Sequence, residues 1–346
     1  MKPQIKALTA TRAVAAIMVV IHHFGSDIFP FSLSGNIFHS GDIAVSYFFV
    51  LSGFVLYISY NGVKISYGDY IKKRIGRIAP VYLLALALMV CFVVGYKDYV
   101  LNLHALKEIA LSAMFLQAYV PSYPLALNSP AWSLSVEMFF YILFPFLLLL
   151  LNKNLKVFVG ITVALFLISQ YFHLKYCPAP YRWSLPDSIV DTVFFNPVMH
   201  INQFLIGMAG GYLFENNKFT PGNFKWSSLV FFVIIILLIA FRPENISYQA
   251  GLIAPAFMLF ILCTAISNPK ILNAGGFVFL GEISYGIYIL QFPVIKFLEA
   301  VNAGHWHIPN QYFFFISLGV LLAAASFTYY YVEKPLRRKI SSLKFF

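Results

Sequence analysis

Residues 8–25 read LTATRAVAAIMVVIHHFG, an apolar helix-forming run broken only by Arg12 and the pair His22-His23. Eleven positions at about 100° each turn through roughly 1100°, three turns plus about 20°, so Arg12 and His23 share one helix face. At about 1.5 Å per residue they stand roughly 16 Å apart along the axis, half the thickness of a bilayer's hydrocarbon. An ionisable group at that depth is costly unless it faces a bundle interior or a wet cavity, so this face is the first place to expect chemistry.

The rest of the chain agrees with a membrane setting. Of 346 residues, 60% are hydrophobic and only 11% charged, against about 25% charged in an ordinary soluble domain. Lys2, Lys6 and Arg12 ahead of an apolar run resemble a signal peptide, but the histidines fall where the run should end and no small-residue cleavage site follows, so an uncleaved first span is expected. The formal charge of +11 is concentrated at span ends, which fits cytoplasmic loops and anionic lipid and argues against nucleic acid as a partner. Cys91, Cys177 and Cys263 have no metal-ligand spacing, nor do His104, His173, His200, His305 and His307, so neither zinc nor a disulfide framework is implied.

Apolar stretches of spanning length cover residues 8–27, 40–60, 78–96, 131–151, 155–174, 198–215, 226–241, 246–267, 277–298 and 310–332. An eleventh candidate, 104–120, carries His104, Lys107, Glu108 and Gln117. Leaving it out puts Lys64–Arg77, Lys153–Lys156, Lys218–Lys225, Lys270 and the Arg337–Lys344 tail on one side, as the positive-inside rule asks. The expected fold is therefore an all-α, polytopic membrane helix bundle. It has about ten transmembrane helices, both termini cytoplasmic and 104–120 interfacial or re-entrant. It forms a single domain, residues 1–346, in the cell's inner (plasma) membrane.

Five further stretches carry candidate site residues. In YIKKRIGRIAPVYLL (70–84), Arg74 and Arg77 lie three apart and could form a guanidinium fork for phosphate, or anchor the span to lipid headgroups. In SYFFVLSGFVLYISY (46–60), Gly53 allows close helix approach, and Ser52 either lines a cavity or simply packs. Asp42, at the outer end of that span, reads as a solvated loop carboxylate. In NSPAWSLSVEMFFYILFP (128–145), Ser129 can cap and Pro130 can start a helix, with Glu137 two turns inside and Tyr141 on the same face. Entering from outside, Glu137 would reach the depth of His23 and could orient it; an interhelical structural bond is the other reading. In LGEISYGIYILQFP (280–293), Ser284, Tyr288 and Gln291 form a polar stripe at i, i+4 and i+7. In TYYYVEKPLRRK (328–339), Glu333 falls near the cytoplasmic boundary, as does Glu282 of the preceding stretch, and a structural pairing with a loop arginine is expected for both.

Taken in order, the Arg12-x10-His23 pattern, YFFVLSGFVL (47–56), Arg74-x-x-Arg77, WSLSVEMFFYILFP (132–145) with Glu137, GEISYGIYIL (281–290) and YYYVEKP (329–335) resemble the acyltransferase 3 family of integral membrane O-acetylases across nearly the whole chain. One departure is Gln291, where the family often has a histidine. Another is the lack of the hydrolase-like domain some members carry, so the acceptor is expected to meet the membrane domain directly. The resemblance implies transfer of an acyl group, usually acetyl, from a cytoplasmic acyl-CoA to a hydroxyl of a cell-surface saccharide or lipid-linked glycan, with no permanently bound cofactor. It implies His23 as base or transient acyl carrier, Glu137 orienting it, Arg12, Arg74 and Arg77 on the donor, and Ser52, Tyr141, Ser284, Tyr288 and Gln291 lining the cavity. A transporter of an acyl or glycan species, working without group transfer, would use similar buried ionisable groups.

Overall fold

The computed structural model describes residues 5–96, 101–176, 187–217, 219–224, 226–243, 246 and 248–343; Lys2, Cys177, Lys218, Lys225 and Lys344 lie outside these. Among the described residues there are helices and no strands. The helices are α1 (Lys6–Phe24), α2 (Asn36–His39), α3 (Ile43–Tyr60), α4 (Tyr67–Tyr96), α5 (Leu103–Ala113), α6 (Trp132–Lys153), α7 (Leu155–Tyr176) and α8 (Asp187–Phe195), then α9 (Pro197–Asn216), α10 (Ser227–Ala240), α11 (Ala254–Ser267), α12 (Gly275–Val301), α13 (Asn310–Thr328) and α14 (Lys334–Ser342). Each of the ten expected spans overlaps one of them, 246–267 only over Ala254–Ser267. Seven helical stretches among the described residues are long and apolar enough to cross a bilayer: those built on α1, α3, α4, α6, α7, α12 and α13. The α10 and α11 helices are apolar but have 14 residues each, about 21 Å against roughly 30 Å of hydrocarbon. The 20 residues of α9 include His200, Asn202, Gln203 and Glu215, which lower its hydropathy. The 104–120 candidate is the 11-residue α5, about 16 Å long and too short to cross.

Two glycine-mediated crossings hold the bundle. A Cβ on Gly53 would strike the Phe204 carbonyl, and one on Gly207 the Val50 carbonyl, so α3 and α9 meet backbone to backbone. The same occurs where Gly281 of α12 faces the Thr9 carbonyl of α1. Without a hydrophobic drive between helices in lipid, such close approach supplies the dispersion contacts that hold them. The α1 and α12 helices run parallel, from Thr9 beside Gly281 to His23 beside Gln291.

The start of α6 is set by a proline elsewhere. Pro293 has no N–H for the carbonyl of Ile289, four residues before it. Asn128 Nδ2 takes that carbonyl at 3.0 Å. Tyr288 hydroxyl donates to the Pro130 carbonyl at 3.0 Å and lies 2.8 Å from Ser133 Oγ. The turn Ser129–Ala131 therefore opens α6 against the middle of α12, without the side-chain cap expected of Ser129. Residues 130–136 are all buried, so α6 begins inside the protein, not at its surface.

Gly207→Ala should lower stability by about 1–3 kcal/mol, because the opposing atom is backbone and cannot rotate away. Gly160→Ala, where a Cβ meets nothing within 4 Å, should be neutral or slightly stabilising. Thermal unfolding of the two purified variants in one detergent checks this.

Candidate functional site

Two cavities occupy opposite ends of the α1–α12 pair. The first, of about 400 Å³, lies among the starts of α1 and α4, the length of α3, the first half of α6, the first half of α12 and the segment after α13. Arg12, Arg74, Arg77, Glu137, Tyr141, Ser52, Ser284 and Tyr288 all line it, joined by Tyr285, Glu282, Glu333 and Arg337. Four guanidiniums thus face three carboxylates in one basic cavity. The second, of about 490 Å³, lies among the end of α1, the end of α12 and the start of α13, and includes His23, Asp27, Lys296, Glu299, Asn310 and Ser317.

In the basic cavity the arginines differ in what they already hold. Arg74 is only 8% exposed; its Nη2 donates to Tyr60 hydroxyl at 3.0 Å, and its guanidinium lies 5.4–5.9 Å from the ring centres of Tyr60, Tyr70 and Tyr141. Cation–π contact and a buried hydrogen bond commit it to the fold. Arg12 and Arg77 have no hydrogen-bond or ion-pair partner among the described residues and face the cavity. The symmetric Arg74–Arg77 fork read from their spacing is therefore one aromatic-caged arginine beside one open one. Tyr285 donates to the Ile78 carbonyl at 2.6 Å, fixing α12 to α4 one residue from Arg77.

Glu137 Oε1 accepts from Ser52 Oγ at 3.2 Å and from Tyr141 hydroxyl. The expected pairing of Glu137 with His23 does not form: Glu137 belongs to the basic cavity and His23 to the other. The cause is the sunken start of α6, which carries Glu137 past the level of Tyr288 toward Ser284 and Arg12. Of the expected stripe, Ser284 lines the basic cavity while donating to the Gly281 carbonyl at 2.8 Å, and Tyr288 lines it while bound to Ser133 and Pro130. Gln291 lines neither cavity.

Gln291 is fully buried and serves His23 instead. Its Nε2 donates to the Tyr288 carbonyl at 2.7 Å, which leaves Oε1 toward His23 Nδ1 at 2.9 Å. Because Oε1 only accepts, Nδ1 must carry the proton and Nε2 is left with its lone pair free. Phe292 and Phe24 pack edge-on against the ring, and the charge of Asp42 reaches it. His22 turns away, with Nδ1 3.2 Å from the Phe38 carbonyl. Sequence patterning gave no hint of Asp27, Lys296 and Glu299 in the second cavity, since they lie at helix ends where charge is ordinary. Glu333, for which a pairing with an arginine is expected, lines the basic cavity within electrostatic reach of Arg77, Arg12 and Arg337, the last one turn on.

Residues 5–330 match the acyltransferase 3 family, described as an acyltransferase domain, and the chain belongs to that family. With seven helices of spanning length, it is a multi-pass membrane protein. It is 26% identical over 368 aligned positions to a candidate peptidoglycan O-acetyltransferase of Bacillus subtilis, covering 96% of this chain and 55% of that protein. It is 27% identical over 338 positions to a candidate acetyltransferase of Acidianus two-tailed virus, covering 95% of this chain and 89% of that one. A candidate O-acetyltransferase of Staphylococcus aureus is 22% identical over 97% of this chain and 58% of its own. The chain thus spans little more than half the length of the two bacterial relatives. No solved structure matches it.

Replacing Arg74 by lysine removes a buried hydrogen bond and a planar stack, and should cost about 1–3 kcal/mol of stability. Arg77→Lys, at an open guanidinium, should leave the melting temperature within a degree or two of wild type, about 0.5 kcal/mol. Melting curves of the two variants side by side distinguish a caged from an open arginine.

Proposed function

We propose that this chain is an O-acyltransferase that moves an acetyl group from a coenzyme A thioester to a hydroxyl of a saccharide or lipid-linked glycan in the cytoplasmic membrane. The observation that carries this reading is the pair of cavities at the two ends of α1, one with unpartnered guanidiniums and one with an imidazole of fixed tautomer. Coenzyme A has phosphates at one end and a thiol at the other, joined by an extended arm. Arg12 and Arg77 would bind the phosphates, and the arm would run along α1 toward His23, roughly 16 Å away.

In this scheme Nε2 of His23 takes the proton of the acceptor hydroxyl. The oxygen attacks the thioester carbonyl, the carbon–sulfur bond breaks, and the imidazolium returns the proton to the departing thiolate. Gln291 positions the ring. Glu137, hydrogen-bonded to Ser52 and Tyr141, organises the donor side of the basic cavity and does not orient the base. Polar groups of the second cavity, Asp27, Glu299 and Asn310 among them, suit a hydroxyl-rich acceptor, with the rings of Phe24, Phe313 and Phe314 as apolar faces.

The reading also includes ten crossings with both termini cytoplasmic. That puts the basic cavity inside and the His23 cavity outside, with α9, α10 and α11 as spans. Lys6, Arg74, Lys153, Arg337 and Lys339 then lie together on the inner face, as the positive-inside rule favours.

Purified protein given acetyl-CoA and a saccharide acceptor should form acetyl ester, and His23→Ala should abolish it while His22→Ala keeps most of it. Gln291→Leu should lower kcat by about tenfold to a hundredfold, part of the roughly 10²–10⁴ that a positioned base contributes, with the donor KM unchanged. Vesicle uptake of an acyl or glycan species with no ester formed would make the protein a transporter instead.

In a cysteine-free background, single cysteines at Ser122 and His305 should react with an impermeant thiol reagent in intact cells. Cysteines at Lys153 and Lys339 should not. Labelling at 153 would reverse the sidedness of that loop and with it the ten-span arrangement.

A further inference from the structure

The fourth arginine of the basic cavity, Arg337, lies on α14, beyond the residues that match the family. The α13 helix does not stop at Thr328 but continues through a π-helical turn, Tyr329–Glu333, directly into α14. A wider turn re-aims the face that follows it. Here Glu333 and Arg337, four residues apart, both line the cavity. Two contacts hold α14 against the start of α4: Ile340 lies where a Cβ on Gly76 would stand 3.1 Å from it, and Lys72 Nζ donates to the Leu343 carbonyl at 2.8 Å. Arg337 is consequently held within electrostatic reach of Arg77, Glu333 and Arg74.

Like charges brought together in an apolar-walled cavity repel, and an arrangement that keeps them close suits an anion between them. Arg337 is also the outermost of the four: it is exposed, Arg12 and Arg77 are partly covered, and Arg74 is buried. Coenzyme A carries two phosphate groupings. The pyrophosphate is nearer the thiol, and the 3′-phosphate of the ribose is beyond it. A donor with its thiol directed along α1 toward His23 meets Arg12 and Arg77 with its pyrophosphate and has its 3′-phosphate at the cavity mouth.

Resting on the coenzyme A reading above, we infer that Arg337 is a 3′-phosphate ligand, and that the α14 helix selects the full coenzyme over its dephosphorylated form. Glu333, within electrostatic reach of both Arg337 and Arg77, would offset their mutual repulsion and keep them close until the phosphate arrives.

The test is calorimetric titration of the full chain in detergent with coenzyme A and with 3′-dephospho-coenzyme A. Wild type should bind coenzyme A about tenfold or more tighter, the worth of a charge-assisted hydrogen bond. Arg337→Gln should bring the ratio near one while leaving affinity for the dephospho form unchanged. Arg337→Lys, the milder variant should Arg337→Gln fail to fold, should give an intermediate ratio. Arg338→Gln, on the neighbouring residue outside the cavity, should keep the wild-type ratio. Coenzyme A binding with a ratio unaltered in both Arg337 variants, or a ratio lost equally in Arg338→Gln, would overturn the assignment and leave the donor reading intact. Failure of wild type to bind either compound would overturn both.

Discussion

The backbone contact between α1 and α12 governs everything else in the site. Gly281 has no side chain, so the Thr9 carbonyl lies where a Cβ would be. Two helices that close cannot slide or rotate independently, and the parallel pairing then fixes two registers at once. At one end Arg12 of α1 and Ser284 of α12 line the basic cavity together; at the other His23 meets Gln291. A side chain at 281 would separate both pairs together. The guanidinium cavity and the imidazole cavity are thus linked by one steric constraint.

The second constraint is the proline-orphaned carbonyl of Ile289. A polar acceptor inside an apolar bundle is expensive unless a donor reaches it. Asn128 does so, and this draws the turn before α6 into the protein. The depth of Glu137 follows from that hydrogen bond together with those of Tyr288 to Pro130 and Ser133, and so does its company: Ser52, Tyr141 and the arginines, not His23. The same stretch of α12 therefore orders three partners, with Ile289 holding Asn128, Tyr288 holding Ser133, and Gln291 holding His23.

Much of this was legible in the sequence. Apolar stretch length located the seven helices long enough to span, among the described residues, to within a few residues at most boundaries, because lipid demands continuous apolar runs, and it also found the shorter or more polar α9, α10 and α11; the start of α4, eleven residues before its apolar run, was hidden by the charges at Asp69, Lys72 and Arg74. Helical spacing put Arg12 and His23 on one face of α1, and the structure gives each a different cavity; Ser52, Tyr141, Ser284 and Tyr288 line the cavity of Arg12, and Gln291 lines neither. What it could not supply was depth across helices. Counting turns from Pro130 assumed that α6 starts at the membrane surface, and nothing local to residues 128–137 says that Asn128 will be captured by a carbonyl 161 positions away. Arg74 and Arg77 look equivalent at a spacing of three, yet Tyr60, Tyr70 and Tyr141 converge on only one. Gln291 departs from the histidine the family often has, and sequence alone does not say what replaces it; in the structure its amide oxygen meets His23 Nδ1 and defines the tautomer.

That substitution bears on the chemistry proposed for His23. A carboxylate partner both orients an imidazole and stabilises its protonated form. A neutral amide oxygen orients it equally well but offers less to the imidazolium. Such a base suits a reaction in which the proton is held briefly, taken from a hydroxyl and returned to a thiolate in the same turnover. A thiolate is a weaker base than an alkoxide, so the donor's own leaving group carries much of the charge that a carboxylate would otherwise offset. On the proposed reaction, an imidazole ordered by Gln291 and walled by Phe24 and Phe292 would suit a thioester donor, whose leaving group needs less help than the nucleophile.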